Sequence, residues 1–387
     1  METQGVKKTR MMLIARLALM LVTVFAVMVA VNYLADPANL YHTSVIDEMA
    51  SQLLKGNTIE SPGDFDEGQL LEKMVSGQER LPELYVLGSS RVIYCPWENI
   101  EQNFLCGGMS GSYLGDYYAA IGLMLYYNNE RLPDRIIIGV DPWAFYTDAL
   151  SGRHDSIVSY AQYAKDIIEA GESRIEPSMR EGGRLKKAKE LFSVAYFQAS
   201  ISKVIDTVPN YLVKESSRGE ELAFVNNVNN NTIGEKMKIL PNLTRIMKKG
   251  QFATVERNDA EVREMIASGS IYQMGLKYNG YNVDNLREFE NLLHYLKGNN
   301  VQVDLYLPSW YPTLYDYFCE NPDFIGVMEL EEYLRKIGSE NNIIVHGSFN
   351  PYICGLTKED YADWLHLRAQ KMMENYNTII DSTTYIY

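Results

Sequence analysis

Two adjacent serines follow a short apolar run and are the first candidates for chemistry in this chain. Residues 84–91 read LYVLGSSR, in which the apolar run ends at Gly88 and leads into Ser89 and Ser90. Gly and Ser are ordinary turn residues after a strand, so a simple turn is one interpretation. Open α/β sheets also keep their sites at the carboxyl ends of strands, which favours a nucleophile here.

An aspartate and a histidine near the C-terminus supply what such a serine needs. A serine hydroxyl becomes nucleophilic when an imidazole accepts its proton and a carboxylate orients that imidazole. Asp363 and His366 stand three positions apart in EDYADWLHL, so both side chains can project to the same side of a helical or tight turn. A solvated Asp and His at this spacing is the alternative. Taken with the strand-end serines, the three residue types predict acyl transfer or ester hydrolysis.

The elements that must position these residues alternate between strands and helices. Short apolar runs bounded by Gly, Pro or Asp predict buried strands at 84–87, 135–140, 303–307 and 342–346. Helical patterns occupy 44–54, 113–127, 285–299, with Gly298 as its C-cap, and 327–338. This alternation predicts an α/β fold with right-handed crossovers and a mainly parallel, doubly wound sheet.

The stretch from about 150 to 280 interrupts the alternation. It is polar and rich in Lys, Glu and Ser, and it contains the low-complexity run NNVNNNT at 226–232. We interpret it as a helical insertion, either a cap over the carboxyl ends of the strands or a surface decoration.

The N-terminus carries a membrane signal. Lys7, Lys8, Arg10 and Arg16 precede an uncharged apolar run at 17–34, and residues 11–15 can extend it. At about 1.5 Å per residue such a run nearly crosses a hydrocarbon core of about 30 Å. The run is longer than the apolar region of a cleaved signal peptide, which favours a retained anchor. The preceding positive charge predicts a cytoplasmic N-terminus (residues 1–35 forming tail and anchor) and an extracytoplasmic domain at 36–387.

Composition excludes some function classes. The formal net charge is −14, which argues against nucleic acid as a partner because phosphate backbones are bound by Lys and Arg. Cys95, Cys106, Cys319 and Cys354 form no C-x-x-C pair and the chain has five histidines, which argues against a zinc site. We therefore expect no metal and no cofactor, and the disulfide state stays open.

The motifs together resemble the SGNH (GDSL-like) hydrolase superfamily, and within it the membrane-anchored DltD-like and polysaccharide O-acetylation proteins. The similar stretches are VLGSSR at 86–91, GGMSGS at 107–112, IIIGVDPW at 136–143 and GSFNPY at 347–352, which leads into DWLH at 363–366. The resemblance implies a flavodoxin-like, SGNH-type sheet. It also implies Ser90 as nucleophile, His366 as base and Asp363 as the orienting acid.

The oxyanion site departs from the superfamily pattern. The resemblance implies a backbone N–H donor at Gly108 or Gly111, but Asp141 stands where the superfamily usually has an oxyanion-hole Asn. Asp141 is expected to support the site, bind a substrate hydroxyl, or only stabilise an Asp-Pro turn. Arg91 could neutralise an anionic substrate or pair with a local acid. The aromatic run at 309–318 suits carbohydrate stacking or a packed loop.

Two functions follow from these residues. The first is a membrane-anchored serine acyltransferase or esterase acting on an envelope polysaccharide or related polymer, with an acyl-serine intermediate. By resemblance, a membrane-bound O-acyltransferase would be its partner. The second is a catalytically inactive SGNH-like scaffold that binds glycan or such an acyltransferase.

Overall fold

The structure is a computed structural model, and it describes most of the chain. The described residues are 4–35, 44–63, 65–94, 103–146, 152–173, 177, 191–194, 196–198, 200–201, 236–248, 251–271, 281–372 and 374. The strands within them are β1 (Ile59–Glu60), β2 (Leu84–Leu87), β3 (Phe104–Cys106), β4 (Arg135–Gly139), β5 (Lys238–Ile239), β6 (Arg245–Ile246), β7 (Gln302–Leu307) and β8 (Ile344–Gly347).

The helices of the same residues are mostly 9 to 17 residues long. They are α1 (Gln4–Ala35), α2 (Ser44–Leu54), α3 (Glu67–Gly77), α4 (Ser90–Ile93), α5 (Leu114–Tyr127), α6 (Val158–Ala170), α7 (Val255–Ser268), α8 (Val283–Gly298), α9 (Pro312–Glu320) and α10 (Ile325–Asn341). Short 3₁₀ helices span Pro142–Phe145, Asp155–Ile157, Pro322–Phe324 and Lys358–Asp360.

The larger sheet in the described residues has five parallel strands in the order β3-β2-β4-β7-β8. Counted along the chain within this sheet, the order is 2-1-3-4-5, which occurs in doubly wound sheets and reverses between β2 and β4. The strands β2 and β4 are buried along their whole lengths, as continuous apolar runs predict. Helix α5, apolar on all sides, is buried over most of its length and packs against α6. The predicted α/β class with a mainly parallel sheet is confirmed.

The predicted element boundaries lie within a few residues of the observed ones. The run at 84–87 coincides with β2, and the helix predicted at 113–127 begins one residue later. Gly298 is the last residue of α8 and Asn299 provides the C-cap, so the predicted cap lies one residue too early. The three-residue strand β3 was not predicted because FLC is too short to show a pattern.

The region predicted as a helical insertion is not wholly helical. Strands β5 and β6 pair antiparallel with each other, and β5 pairs antiparallel with β1, in a small three-stranded sheet. Helices α6 and α7 also fall in this region, while residues 202–235 lie outside the described residues.

The chain divides into two compact units. The first unit comprises Met1–Val45, Gly63–Asp66 and Arg180–Glu221, and the second comprises Ile46–Pro62, Glu67–Met179 and Leu222–Tyr387. The predicted insertion is thus shared between the units. Both sheets belong to the second unit.

Helix α1 of the first unit matches the predicted membrane segment. Its part Met11–Ala35 has a mean hydropathy of 2.5, and no residue of its most apolar window is buried. Among the described residues this helix is long and apolar enough to cross a membrane.

Candidate active site

A glycine and a capping serine place Ser90 at the end of β2. Gly88 has φ +147°, and a Cβ at this position would lie 2.9 Å from a methyl of Val92, so the turn requires glycine. Ser89 is the N-cap of α4, and its Oγ accepts the N–H of Arg91 at 3.2 Å. Ser90 follows as the first helical residue and is partly exposed, whereas Ser89 is buried. The sequence folds so that the second serine, and not the first, is presented.

The structure brings Ser90, His366 and Asp363 into one hydrogen-bonded row. The Oγ of Ser90 lies 2.8 Å from Nε2 of His366. The Nδ1 of His366 lies 2.8 Å and 3.0 Å from the two carboxylate oxygens of Asp363. An ionised carboxylate only accepts, so Nδ1 carries the ring proton and Nε2 accepts the hydroxyl proton of Ser90. This is the arrangement that activates a serine nucleophile.

Backbone contacts hold the carboxylate of Asp363 in place. Its Oδ1 accepts the N–H groups of Leu365 and His366, both at 2.8 Å. The turn is closed by an antiparallel bridge between Tyr361 and Leu367. Burial raises the pKa of Asp363, but the hydrogen bond and charge of His366 and the two N–H groups outweigh burial and set the pKa below its ordinary value. Asp363 therefore stays ionised while it orients the imidazole.

Tyr94 restricts the imidazole from another side and was not identified in the sequence. Its ring makes an edge contact with His366, with centroids 5.1 Å apart and planes at 79°. Its hydroxyl lies 3.8 Å from the sulfur of Met237. The sequence signal was the position of Tyr94 four residues after Ser90, one helical turn away on the same face.

Arg91 pairs with a local acid, Asp141, which is one of the two roles expected for it, and both side chains are buried rather than exposed for contact with a substrate. Their side chains are 1% and 0% exposed, and Arg91 Nη1 donates to Asp141 Oδ1 at 2.9 Å. Nη2 of Arg91 donates to the carbonyls of Pro308 and Ser309. The guanidinium lies 4.3 Å from the ring centroid of Trp310. Through these contacts Arg91, which follows Ser90, is connected to the residues at the ends of β4 and β7.

Burial raises the pKa of Asp141 above its ordinary value, and the charge of Arg91 opposes that effect. The carboxylate of Asp141 is thus paired with Arg91, where it compensates a buried charge. This pairing is the contact that the structure shows for Asp141.

The two glycines predicted as oxyanion donors make different contacts in the structure. The N–H of Gly108 is directed at the thiol of Cys106, whose pKa burial raises to about 11 in spite of that contact. Gly111 has φ +64°, and a Cβ there would lie 2.3 Å from Nη1 of Arg153. The first amide of α4, that of Ser90, has no acceptor within the helix and is the donor that the site offers for an oxyanion.

A polar cavity of about 290 Å³ opens beside the histidine. Its lining residues are Gln251, Ala253, Arg257, Glu261, Asp363, Trp364, Leu365 and His366. The segment that leads into α7 is fixed here, because the N–H of Ala253 donates to the carbonyl of Ala362 at 2.7 Å. Lys358 also binds Asp259 of α7 at 2.8 Å. The C-terminal part of the predicted insertion therefore borders the site, as a cap would.

The aromatic run at 309–318 is packed inside the protein, and residues 312–318 of it belong to helix α9 rather than to a loop. Trp310, Tyr311 and Phe318 are fully buried. Trp364, between the two C-terminal residues of the row, is the partly exposed aromatic side chain at the cavity instead.

Cys106, Cys319 and Cys354 are free thiols, while Cys95 lies outside the described residues. Within the described ranges, no three His, Cys, Asp or Glu side chains are grouped to hold a metal ion.

Comparisons with protein families and with curated proteins give no information on the function, which is therefore inferred from the geometry described above. No protein-family model and no curated protein matches the chain.

Proposed function

We propose that this protein is a serine acyltransferase or esterase that works through an acyl-Ser90 intermediate. The observation that carries the proposal is the continuous row from Ser90 Oγ through both ring nitrogens of His366 to Asp363, with every link at 2.8 Å. A solvated Asp and His would not hold a serine hydroxyl at this distance from the acceptor nitrogen. The order of the motifs also resembles the SGNH superfamily, which supports the same reaction.

The reaction follows from the protonation states in the row. Ser90 Oγ attacks the acyl carbonyl carbon while its proton passes to Nε2 of His366, and Asp363 stabilises the imidazolium. The bond between the acyl carbon and the leaving oxygen then breaks, and that oxygen takes the proton from Nε2. In the second half, water or an acceptor hydroxyl gives its proton to Nε2 and attacks the acyl-Ser90 ester, which frees Ser90.

The cavity beside His366 suits a polar acceptor. Arg257 and Glu261 contribute a cation and a carboxylate paired at 2.8 Å, and Trp364 contributes a partly exposed ring. Rings beside hydrogen-bonding groups fit the alternating apolar and hydroxyl faces of a sugar. We therefore assign the acceptor as a carbohydrate hydroxyl, which in a membrane-anchored protein points to an extracytoplasmic envelope polysaccharide. A membrane-bound O-acyltransferase is the donor partner that the resemblance suggests.

The test is covalent labelling of the full-length protein in detergent with p-nitrophenyl acetate, read by intact mass. We expect one acetyl group on the wild-type protein and on Ser89→Ala, and none on Ser90→Ala. Ser89→Ala is the matched control because it removes the neighbouring hydroxyl. It costs the N-cap of α4, about 1 kcal/mol, and the hydrogen bond of Ser89 to the carboxylate of Asp141, so its folding is checked by urea unfolding. Tryptic mapping must place the acetyl group on Ser90.

The opposite result separates the two candidate functions. A folded wild-type protein that acquires no more acetyl group than Ser90→Ala, and that releases p-nitrophenol no faster than Ser90→Ala, would contradict the enzyme and favour the binding scaffold. Glycan binding that is equal in the wild-type protein and Ser90→Ala would then be expected.

A further inference from the structure

A short apolar segment covers one face of the membrane helix near its C-terminal end. Within the first unit, the described residues of 191–201, which are 191–194, 196–198 and 200–201, lie against α1, and the rings of Phe192 and Phe25 are stacked at 5.3 Å between centroids. On α1 the side chains of Met28, Val29 and Asn32 are partly or fully buried, whereas most of the helix is exposed. Positions 25, 28, 29 and 32 share one helical face, so the contact is a packed seam.

Asn32 binds the segment at the point where the helical structure of the segment is interrupted. The segment leaves helical structure at Phe192 and Ser193 and resumes it at Val194, with Ser193 Oγ accepting the N–H of Tyr196 at 3.2 Å. The side-chain amide of Asn32 donates to the carbonyl of Leu191 at 2.9 Å and to that of Ser193 at 3.3 Å. The break therefore has polar partners from the membrane helix itself.

The other end of the amide is also satisfied. Ser200 Oγ donates to Oδ1 of Asn32 at 3.1 Å, and Asn32 is 0% exposed. In hydrocarbon each unsatisfied polar group costs several kcal/mol, so irregular backbone persists only where protein groups pair with it. An internally satisfied break beside a buried Asn is what a segment at membrane depth requires.

Three of the four exposed side chains among the described residues of the segment are apolar, and the fourth is that of Gln198. Phe192 is 50% exposed, Val194 64% and Ile201 39%. Phe25 lies ten residues before Ala35, which is about 15 Å along the axis and inside a hydrocarbon core of about 30 Å when α1 spans it. These side chains continue the exposed apolar surface of α1 at this depth, so they lie in the same environment, the lipid acyl chains, as that surface.

We propose that residues 191–201 form a second membrane-embedded element, which enters the leaflet at the Ala35 end of α1 and presents Phe192, Val194 and Ile201 to lipid acyl chains. Asn32 holds this element to the membrane helix. The protein is thus attached to the bilayer by one spanning helix and one shallow segment. This inference does not depend on the chemistry of Ser90.

The experiment is photo-crosslinking of the full-length protein in phosphatidylcholine vesicles. The photoreactive residue p-benzoylphenylalanine is placed at position 194, at position 19 as the positive control, or at position 283 as the matched negative control. Leu19 is 67% exposed on α1, and Val283 is an exposed valine like Val194, at 72%, but starts α8. After irradiation, intact mass shows whether a phosphatidylcholine molecule has been added.

We expect lipid adducts at positions 19 and 194 and none at 283. In the variant Asn32→Leu the adduct at 194 should fall several-fold while the adduct at 19 is unchanged. An adduct at 19 alone would overturn the proposal, because the segment would lie in water. A crosslink from 194 to a second copy of the chain would overturn it as well, because protein would cover the surface. Equal adducts at 194 with and without Asn32 would overturn the role of Asn32.

Discussion

Replacing Asp363 with asparagine removes one charge from the site and leaves the turn around it intact. Oδ1 of Asp363 accepts two backbone N–H groups at 2.8 Å, and only an oxygen can do so. The oxygen of the new amide must therefore keep that place, and its NH₂ group takes the position of Oδ2, which lies 2.8 Å from Nδ1 of His366. An NH₂ group donates, so Nδ1 becomes an acceptor.

The change inverts the tautomer of His366. With Nδ1 accepting, the ring proton moves to Nε2, which then points its N–H at Ser90 Oγ and cannot accept the hydroxyl proton. A triad with this wrong tautomer loses about 10⁴-fold in kcat, which corresponds to about 5.5 kcal/mol in the barrier. Because the turn keeps its hydrogen bonds, we expect the stability to change by less than about 1 kcal/mol.

The assay measures the rate at which acetyl-Ser90 forms from p-nitrophenyl acetate, and the release of p-nitrophenol is the signal. Urea unfolding is the control for folding. We expect Asp363→Asn to approach the rate of Ser90→Ala without loss of stability. A folded Asp363→Asn protein that acylates within tenfold of the wild-type rate would refute the reasoning, because the orientation of His366 would then not depend on this carboxylate.

Three further predictions concern the surroundings of the site. Burial raises the pKa of Glu67, but Arg245 at 2.7 Å and the Ser110 N–H outweigh burial and lower the pKa from 4.5 to about 2. Glu67 therefore contributes about 3 kcal/mol to the free energy of unfolding above pH 4.5, and this contribution is lost towards pH 2. The stability difference between the wild type and Glu67→Gln should shrink over that range, and a pH-independent difference would contradict the assignment. Asp141→Ala leaves the buried guanidinium of Arg91 without its carboxylate and should lower the free energy of unfolding in urea by about 3–5 kcal/mol. The loss should be smaller in the double variant Asp141→Ala/Arg91→Met, whereas additive losses would show that the two side chains do not interact. Trp364→Ala should raise the acceptor KM about tenfold, or about 1.4 kcal/mol, and leave acetyl-Ser90 formation unchanged, while an equal loss in both steps would place Trp364 elsewhere in the mechanism.

The parallel sheet was predictable because its strands carry their own signal. Strands such as β2 and β4 are buried on both faces and read as continuous apolar runs between turn residues. Strands β5 and β6 have two residues each, a charged residue followed by an isoleucine, which is too short to show an alternating pattern. They pair with each other, but β5 also pairs with β1, which lies far away along the chain, so the local sequence does not predict this sheet.

The sequence predicted Ser90, His366 and Asp363 of the candidate site, but not the residues that hold them in place. Serine, histidine and aspartate are identified by chemical type and local spacing. The ion pair of Arg91 and Asp141 joins positions 50 residues apart, and single-sequence spacing cannot show that a charge beside the serine is buried and compensated. Helix α7 is held at the cavity by a backbone hydrogen bond between Ala253 and Ala362, which any residue types could make, and by Asp259, whose partner Lys358 lies far along the chain.

The distance along the chain between Ser90 and His366 has a consequence for biogenesis. Their hydrogen bond joins positions 276 residues apart and closes a very long loop, whose entropy only the completed sheet can offset. A nascent chain that has made β2, β3 and β4 carries an inert serine, because its base has not yet been synthesised. The proposed reactivity of Ser90 therefore arises last, and an ester probe that labels Ser90 would count finished molecules during refolding.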